Sequence, residues 1–316
     1  MGNSLIPDLS FPRRIHVLGV GGAGMSAIAE VLVSMGHFVT GSDLKESANL
    51  ERLRALGIAV TVGHDPKNIG DVELITRSTA VPDSNVECQE AVERRIPLLS
   101  RAEILASICE ERSTVVISGT HGKTTTSSML ALILRTSELE PSFIIGGDVN
   151  EVGTGAAWSD GQLFVVEGDE SDGSFLMLPK DFAVVTNFEA DHLEHHGDYE
   201  SLHRAFERFV KETNGPVIIG IDDEGGRSIS NHQNVMSLGM DSSADWHVTE
   251  IEEKWTGVSF RLKHGRDYDL KISLPIPGLH NVKNAACAAA MGLVVGASPQ
   301  PTLAVSYTHL TLPTKA

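Results

Sequence analysis

The stretch that most constrains the fold is STVVISGTHGKTTTSSML, in which a strand, a glycine loop and a helix follow one another directly. Residues 113–118 are mostly β-branched and apolar, which is the composition of a buried strand. After the loop, Met129, Ile133 and Leu134 recur at helical spacing. Strand, glycine loop, Gly-Lys-Thr and helix stand in the order of a phosphate-binding P-loop, so this stretch predicts an α/β domain.

The loop is shorter than the general P-loop pattern. That pattern requires a glycine where this chain has Ile117, and the nearest glycine before Gly122 is Gly119. In a P-loop, Lys123 would contact the β- and γ-phosphates and the Thr124 hydroxyl would reach Mg²⁺. The alternative is an ordinary strand-to-helix turn with a surface lysine. Three consecutive threonines, however, are costly at a helix start unless their hydroxyls cap or coordinate.

Acidic residues follow two further apolar strands, and carboxylate oxygens are ligands that suit Mg²⁺. LFVVEGDESDGSF places Glu167 at a strand end, where open α/β sheets bind their ligands, so we predict that Glu167 and Thr124 share a metal ion. A solvated acidic loop is the alternative, and for Glu170 both interpretations stay open. AVVTNFEADHLEHH repeats the arrangement, and we predict His192 as a ligand of a second divalent cation. A zinc cluster and surface histidines are the alternatives there.

The N-terminal part contains a second glycine motif. Gly19, Gly21 and Gly24 form G-x-G-x-x-G directly after the strand IHVL and at the start of a helical pattern, and Asp43 ends the next strand. In this context, backbone N–H groups and the helix dipole receive a diphosphate. NAD and a UDP group offer the same diphosphate. The structural alternative is a glycine turn that only permits close packing.

Length and pattern predict two α/β domains, because 316 residues exceed one ordinary core. We place them at residues 1–107 and 108–304. In the second, WHVTEIEEKWTGVSFRLKHGRDYDLKISLP alternates like antiparallel strands and HNVKNAACAAAMGLVVG is typical of a buried helix. Residues 305–316 follow no periodicity, and we predict that they are foreign to the fold.

Composition excludes some classes of function. The net charge of −17 argues against nucleic-acid binding as the main function, because phosphate backbones require a basic surface. A small anion held by N–H groups and one or two lysines remains compatible with it. The sequence contains no run of ~18 apolar residues, so it predicts no membrane-spanning helix. The three cysteines lie far apart, which indicates neither a disulfide framework nor a zinc site and suits a reducing cytosol.

Six segments together resemble the Mur ligase family: GVGGAGMSAIAEVL, GSD, GTHGKTTT, EGDESDGSFL, TNFEADHLEHHGDYESL and PGLHNVKNAACAA, in this order. The resemblance covers roughly residues 13–300 and is far more specific than one glycine loop. It implies a Rossmann-like N-terminal domain for UDP, a P-loop-type central domain for ATP, and a C-terminal domain. We expect this third domain to be absent from the present sequence, which would make it a truncated ligase. Gly168 departs from the family, which usually has alanine at this position.

The resemblance also assigns residues to sites. It implies a UDP-sugar site at Gly19, Gly21, Gly22, Gly24 and Asp43. It implies an ATP site at Gly119, Thr120, His121, Gly122, Lys123, Thr124, Thr125, Asn281 and Asn284. The implied catalytic residues are Lys123, Glu167 and His192, and the implied Mg²⁺ ligands are Thr124, Glu167 and His192. For the two asparagines helix N-capping is the alternative, above all for Asn281.

The implied reaction joins L-alanine to the lactyl carboxylate of UDP-N-acetylmuramate through an acyl phosphate, at the expense of ATP, in the peptidoglycan precursor synthesis of the bacterial cytoplasm. Within the family, the alternative is a ligase that adds a ready-made tripeptide to the same sugar nucleotide. That ligase carries a tyrosine in the acidic motif, where this chain has DESDGSFL. Outside the family, an ATPase switch would need no second metal site, and an NAD-dependent dehydrogenase would not need Lys123.

Overall fold

The computed structural model describes residues 7–149, 154–189 and 196–299, with the backbone alone for 147–149. The chain forms two compact units. The first unit is Met1–Glu111 with Gly155–Trp158, and the second unit is Arg112–Thr154 with Ser159–Ala316. The domain limits drawn from the sequence, 1–107 and 108–304, stay predictions. His192 and the segment 305–316 lie outside the described residues.

The sheet of the first unit is parallel throughout, in the order β3-β2-β1-β4-β5. Its strands are β1 (Arg14–Leu18), β2 (Phe38–Asp43), β3 (Ala59–Val62), β4 (Leu74–Arg77) and β5 (Leu98–Ser100). Its helices are α1 (Ala23–Ser34), α2 (Ala48–Ala55), α3 (Val86–Glu93) and α4 (Arg101–Glu110). The strand order reverses at β1, and such a switch point opens a crevice where ligands bind. The predicted Rossmann-like arrangement is confirmed.

Local sequence explains where these elements begin and end. The last four residues of β1 are buried, as expected for a parallel strand covered by helices. Gly36 follows α1 with a φ of 96°, the left-handed conformation that favours glycine after a helix. At α4, Ser100 Oγ accepts a hydrogen bond from Glu103 N (3.2 Å) and the Glu103 carboxylate accepts one from Ser100 N (2.7 Å). This capping box fixes the start of α4 and therefore the position of Arg101.

In the second unit, β12, β11, β10, β6, β9 and β7 lie side by side in this order and run parallel. Beyond β12 the sheet continues with β13, β14 and β15, which pair antiparallel with one another as predicted. The strands of this unit are β6 (Ser113–Ser118), β7 (Ser142–Val149), β9 (Leu163–Glu167), β10 (Phe182–Val185), β11 (Val217–Gly220), β12 (Val235–Gly239), β13 (Trp246–Lys254), β14 (Gly257–His264) and β15 (Tyr268–Leu274). The short strand β8 (Thr154–Ala157) falls mostly within Gly155–Trp158, which belongs to the first unit. The helices are α5 (Lys123–Thr136), α6 (Tyr199–Lys211), α7 (Glu224–Ser228) and α8 (Leu279–Val294).

The alanine-rich helix α8 packs closely on α5. Its alanines at 285, 286 and 288–290 are buried. A Cβ on Gly292 would lie 2.8 Å from Ile133 Cγ2 of α5, so the two helices leave no room for a larger residue there. Small side chains at a helix contact shorten the distance between the axes. The approach brings the first turns of α8 beside the loop that precedes α5.

Several short elements were not predicted from the sequence. These are α2, α3, α7, β5 and β12, all of eight residues or fewer. Short elements carry too few residues to establish a periodicity. Within the described ranges, no helix has the length and apolar character needed to cross a membrane.

Candidate functional site

Two glycines shape the loop between β6 and α5. Gly119 has a φ of 130° and Gly122 a φ of 83°, both in the region that favours glycine. A Cβ on Gly119 would collide with Thr186 and the Asn187 backbone, and a Cβ on Gly122 would collide with the Asn284 side chain. Both glycines are therefore required by backbone conformation and by the close approach of neighbours.

Asn187, two residues after β10, forms hydrogen bonds with the backbone of this loop. Its Oδ1 accepts a hydrogen bond from His121 N (2.9 Å), and its Nδ2 donates one to His121 O (2.8 Å). The Thr186 hydroxyl also donates to His121 O (2.6 Å), and Thr120 N donates to Asn187 O (3.1 Å). One side-chain amide thus pairs both backbone groups of His121, which fixes the loop backbone.

The N-terminus of α5 is arranged to receive an anion. The helix begins at Lys123, no side chain caps it, and its first turn contains no acidic residue. The first N–H groups of a helix have no acceptor within the helix and carry the positive end of its dipole. A helix start that no side chain caps, placed after a glycine loop, is the structural core of a phosphate site.

Lys123 has a buried carboxylate as its partner. Its Nζ donates to both oxygens of Glu170 (2.9 and 2.8 Å) and to Gly119 O (2.8 Å). An ammonium group has three N–H donors, so these bonds engage all of them. Glu170 is only 1% exposed, which settles the open interpretation of this residue: it lies inside the site and is not part of a solvated loop.

Thr124 and Glu167 come together as predicted. Thr124 Oγ1 donates to Glu167 Oε2 (3.2 Å), and Glu167 Oε1 accepts from Gly146 N (2.9 Å). Burial raises the pKa of Glu167, although the hydrogen bonds from Gly146 and Thr124 oppose this effect. A nearby cation would favour the charged form of such a carboxylate.

These two residues fit a magnesium ion that also binds phosphate. Among the described residues, no group of three or more His, Cys, Asp and Glu side chains could hold a metal ion. Mg²⁺ usually keeps several waters and takes one or two protein ligands together with phosphate oxygens. The hydroxyl of Thr124 and the carboxylate of Glu167 provide that number of ligands next to the α5 N-terminus.

A cavity of about 570 Å³ opens beside the loop within the second unit. Its lining includes residues from the loop, from the ends of β10 and β11, and from α8: His121, Gly122, Thr125, Thr186, Asn187, Glu189, Gly220, Asp222, Asp223, Leu238, Leu279, His280, Asn281, Lys283, Asn284 and Cys287. His121, Gly122 and Thr125 of the predicted ATP site therefore face one space together with both predicted asparagines, next to the start of α5.

The asparagines do not cap α8. The N-cap residue is Gly278, and Asn281 lies in the first turn, where its Nδ2 donates to Pro277 O (2.7 Å). The Oδ1 of Asn281 is buried and has no hydrogen-bond partner among the described residues. Asn284 packs against Gly122. N-capping, the alternative role for these side chains, is therefore wrong.

The wall of the cavity opposite the loop is acidic. Lys283 Nζ lies 3.3 Å from Asp222 Oδ2, and Asp222 Oδ1 accepts from Met240 N (2.9 Å). Asp223 accepts from Gly226 N (2.7 Å), and burial raises the pKa of Asp223. Lys283 is thus the cation that compensates this wall.

The histidine tract is described only at its end. His192, Asp191 and His195 fall outside the described residues, so the predicted second metal site stays a prediction. His196 is described, and its Nε2 lies 2.6 Å from Glu170 O. This contact connects the tract to the loop that carries Glu170.

In the first unit, the predicted residues Gly19, Gly21, Gly22, Gly24 and Asp43 do lie together at the end of β1. The loop N–H groups, however, are used internally. They donate from Gly19 to Ser42 O (2.8 Å), from Gly21 to Asp43 Oδ2 (2.8 Å) and from Gly22 to Gly19 O (3.3 Å). Asp43 thus orders the glycine loop, and the N–H groups that remain for an anion belong to the first turn of α1.

A buried polar cluster lies near this loop, centred on Glu87 of α3. Its Oε2 accepts from Ser42 Oγ (2.6 Å) and lies 3.3 Å from His16 Nε2. Its Oε1 accepts from Asn68 Nδ2 (2.7 Å) and Asp65 N (3.1 Å). Burial raises the pKa of Glu87, but the hydrogen bonds from His16, Ser42 and Asn68 outweigh burial and lower it to about 2.

Several residues near the sites were missed from the sequence. Asn187 and Asp222 follow strand ends, so the rule that selected Glu167 could have found them as well. Arg101 has no such signal, because a single arginine at a helix start is common.

Two family models match the chain. The model described as "Mur ligase family, catalytic domain" matches residues 14–113, and the model described as "Mur ligase middle domain" matches residues 117–292. The first match lies within the first unit apart from residues 112 and 113, and the second lies within the second unit apart from the short segment 155–158.

Curated relatives agree with these matches. A UDP-N-acetylmuramate–L-alanine ligase of Allorhizobium ampelinum is 43% identical over 288 residues, which are 88% of this chain and 61% of that protein. The ligase of the same name from Brucella anthropi is 42% identical over 296 residues, which are 90% of this chain and 63% of that protein. The chain therefore spans less than two thirds of the length of these relatives.

Solved structures agree as well. The UDP-N-acetylmuramate–alanine ligase MurC from Thermotoga maritima has a TM-score of 0.81 at 29% identity, over 93% of this chain and 68% of that one. A UDP-N-acetylmuramate:L-alanyl-γ-D-glutamyl-meso-diaminopimelate ligase from Neisseria meningitides has a TM-score of 0.83 at 23% identity, over 95% and 99%, which is a likeness of fold. Because the middle-domain match alone covers more than half of the chain, and relatives above 40% identity cover about nine tenths of it, this chain belongs to the Mur ligase family.

Proposed function

We propose that the protein joins L-alanine to the lactyl carboxylate of UDP-N-acetylmuramate with ATP as the energy source, in bacterial peptidoglycan precursor synthesis. The observation that carries the proposal is the convergence of Lys123, Thr124 and Glu167 at the start of α5, beside the cavity that both asparagines line. The names of the curated relatives support the sugar nucleotide and the amino acid.

In this proposal each unit takes one nucleotide. ATP lies in the cavity of the second unit, with its phosphates at the α5 N-terminus and its base toward Asn281 and Asn284 of α8. UDP lies at the glycine loop of the first unit, where Gly19, Gly21, Gly22 and Gly24 shape the turn and Asp43 orders it. The two assignments divide the glycine motifs between a triphosphate and a diphosphate.

The chemistry has two steps. A lactyl carboxylate oxygen attacks the γ-phosphorus, the bond between that phosphorus and the ADP oxygen breaks, and ADP leaves. The alanine nitrogen then attacks the carbonyl carbon of the acyl phosphate. The carbon–oxygen bond to phosphate breaks, phosphate leaves with the electron pair, and the nitrogen loses a proton as the amide forms.

The residues of this chain contribute position and charge. The N–H groups at the start of α5 and the ammonium of Lys123 stabilise negative charge on the transferring phosphoryl group, which is the largest protein contribution in phosphoryl transfer. Lys123 must exchange hydrogen bonds with Glu170 for phosphate oxygens, because its three donors are already engaged. The N–H groups of α5 need no such exchange.

Magnesium is part of the proposal. Thr124 and Glu167 would hold one ion, and His192 would help to hold a second. A bound Mg²⁺ supplies neutralisation of the phosphate oxygens. The raised pKa of Glu167 fits this role, since a cation would hold that carboxylate in its charged form.

Product analysis tests the proposal. Full-length protein incubated with ATP, UDP-N-acetylmuramate and L-alanine is expected to form a product heavier by one alanine less one water, detected by mass spectrometry. Lys123→Ala should reduce the product by about 10³-fold or more, because the charge on the phosphoryl group then lacks its ammonium partner. Lys211→Ala, which removes an exposed lysine on α6, is the matched control and should leave the product unchanged.

Two outcomes would contradict the proposal. Product formed with L-alanyl-γ-D-glutamyl-meso-diaminopimelate but not with L-alanine would identify a tripeptide ligase. ADP formed without any amide product would identify an ATPase.

A further inference from the structure

One partly buried arginine of the first unit, Arg101, has no partner among the described residues. Arg52 pairs with Glu30 and Arg77 with Asp83, and Arg13 donates to a backbone carbonyl. The side chain of Arg101 forms no hydrogen bond and no ion pair in the part of the chain that the structure describes. Its Nε is buried from solvent. A buried guanidinium donor without an acceptor is costly, so its position requires a reason.

The guanidinium of Arg101 lies against the glycine loop. A Cβ placed on Gly24 would be 2.8 Å from Arg101 Nε and 3.2 Å from its Cζ. The capping box formed by Ser100 and Glu103 fixes the start of α4, and with it the Arg101 backbone. Gly24, the last glycine of the motif, is therefore the position that leaves room for the guanidinium.

The loop itself lacks donors for an anion. The N–H groups of Gly19, Gly21 and Gly22 already donate within the protein. α1 begins at Ala23 without a side-chain cap and without an acidic residue in its first turn. Free N–H groups of the first helical turn and an unpaired guanidinium thus lie next to each other at the switch point beside β1.

We infer that Arg101 is a binding residue that donates to the diphosphate of the nucleotide sugar, together with the first turn of α1. This inference rests on the proposed function, because it takes UDP-N-acetylmuramate as the ligand. An arginine offers a planar fork of donors that matches a phosphate group, which a single ammonium does not. The lactyl carboxylate is another oxyanion with the same chemistry. The diphosphate is favoured because the guanidinium lies against the helix N-terminus, where phosphates bind.

Binding of three ligands to the chain, measured by calorimetry, tests the inference. Arg101→Ala is expected to weaken the binding of UDP and of UDP-N-acetylmuramate by the same factor, about 10- to 100-fold, because charged hydrogen bonds to the diphosphate are lost. Uridine binding should not change. Arg101→Lys should restore part of the affinity, since it keeps the charge and loses the fork. Arg14→Ala is the matched control: it removes an arginine at the opposite end of β1 and should bind all three ligands as the wild type does.

A double substitution separates a ligand role from a packing role. Gly24→Ala should displace the guanidinium and weaken the binding of UDP. In a chain that already carries Arg101→Ala, it should cause little further loss of UDP affinity. Equal additional loss in both backgrounds would mean that the new methyl group itself blocks the ligand.

Each contrary outcome has a distinct meaning. Unchanged UDP affinity in Arg101→Ala, with the fold intact by circular dichroism, would overturn the inference and leave the proposed function standing. If Arg101→Ala lost affinity for UDP-N-acetylmuramate but not for UDP, Arg101 would bind the lactyl carboxylate, and the assignment to the diphosphate would be overturned. A wild-type chain that binds neither UDP nor UDP-N-acetylmuramate would overturn the inference and the proposed function together.

Discussion

At the scale of single residues, the partners of Lys123 define the arrangement at the start of α5. Both Glu170 oxygens and Gly119 O accept its three N–H groups, and Glu170 is almost fully buried. Under the proposed function, ATP would therefore compete with Glu170 for the ammonium. Once Lys123 turns to the phosphates, the carboxylate is left beside further negative charge, which is unfavourable at low exposure.

We predict that Glu170→Gln binds a non-hydrolysable ATP analogue about 10-fold more tightly than the wild type. The substitution removes the competing charge and its repulsion of the phosphates, a difference on the order of 1 kcal/mol. Isothermal titration calorimetry on the chain measures it. Turnover of the full-length protein is expected to fall, because Lys123 loses the partner that orders it.

The control is Glu200→Gln, which removes an exposed carboxylate paired with Arg204 on α6. Its affinity for the analogue should equal that of the wild type. Weaker binding in Glu170→Gln would show that the carboxylate mainly positions Lys123 for ATP and does not compete with it.

The sequence identified part of this residue-level arrangement. Lys123, Thr124 and Glu167 could be predicted, because they follow strand ends that a parallel sheet places at one edge. The contact of Glu170 with Lys123 and that of Asn187 with His121 could not be predicted, since each depends on how a loop returns to a distant part of the chain. His121 and Asn187 are 66 positions apart, for example, and no local pattern links them.

At the scale of elements, the Glu87 cluster connects three pieces of the first unit. Glu87 in α3 binds Ser42 in β2, and it binds Asp65 N and Asn68 in the segment after β3. Ser42 O in turn accepts from Gly19 N in the glycine loop. The cluster therefore supports the crevice in which we place UDP.

We predict that this cluster makes the first unit sensitive to acid. The folded pKa of Glu87 is lowered from 4.5 to about 2, so its stabilisation is complete above pH 4.5 and is lost as the pH falls toward 2. The difference in unfolding free energy between wild type and Glu87→Gln should shrink by about 2 kcal/mol between pH 5 and pH 3. Urea unfolding followed by circular dichroism measures this difference.

Glu93→Gln, an exposed position on the same helix, serves as the comparison. The unfolding free energy of Glu93→Gln should differ from that of the wild type by nearly zero across the same pH range. A constant difference for Glu87→Gln would mean that Glu87 has an ordinary pKa in the folded protein.

The element-level prediction from sequence was strong where elements are long. The strands β6, β9 and β10, the antiparallel strands β13 to β15 and the alanine-rich helix α8 are confirmed. The short elements α2, α3 and β12 escaped, because eight or fewer residues show no clear period. Tertiary packing, not local propensity, decides such segments.

At the scale of the whole molecule, each unit contains parallel strands, one of which leads into a glycine loop and a helix that starts without a side-chain cap. The alternation of apolar strands and amphipathic helices was enough to predict this architecture. The alternation alone could not divide the ligands between the loops, because a glycine loop before a helix suits a diphosphate and a triphosphate alike. Lys123 with Thr124 and Glu167 distinguishes the loop of the second unit, and the unpaired Arg101 distinguishes that of the first.

The central claim is that the two nucleotide sites serve one ligation. Inorganic phosphate released from ATP by the full-length protein tests it most directly, measured with UDP-N-acetylmuramate, with L-alanine, with both and with neither. We predict sustained release only when both are present, because the acyl phosphate forms on the sugar nucleotide and is consumed by the amine. Equal release without UDP-N-acetylmuramate would contradict the claim and identify an ATPase that needs no acceptor.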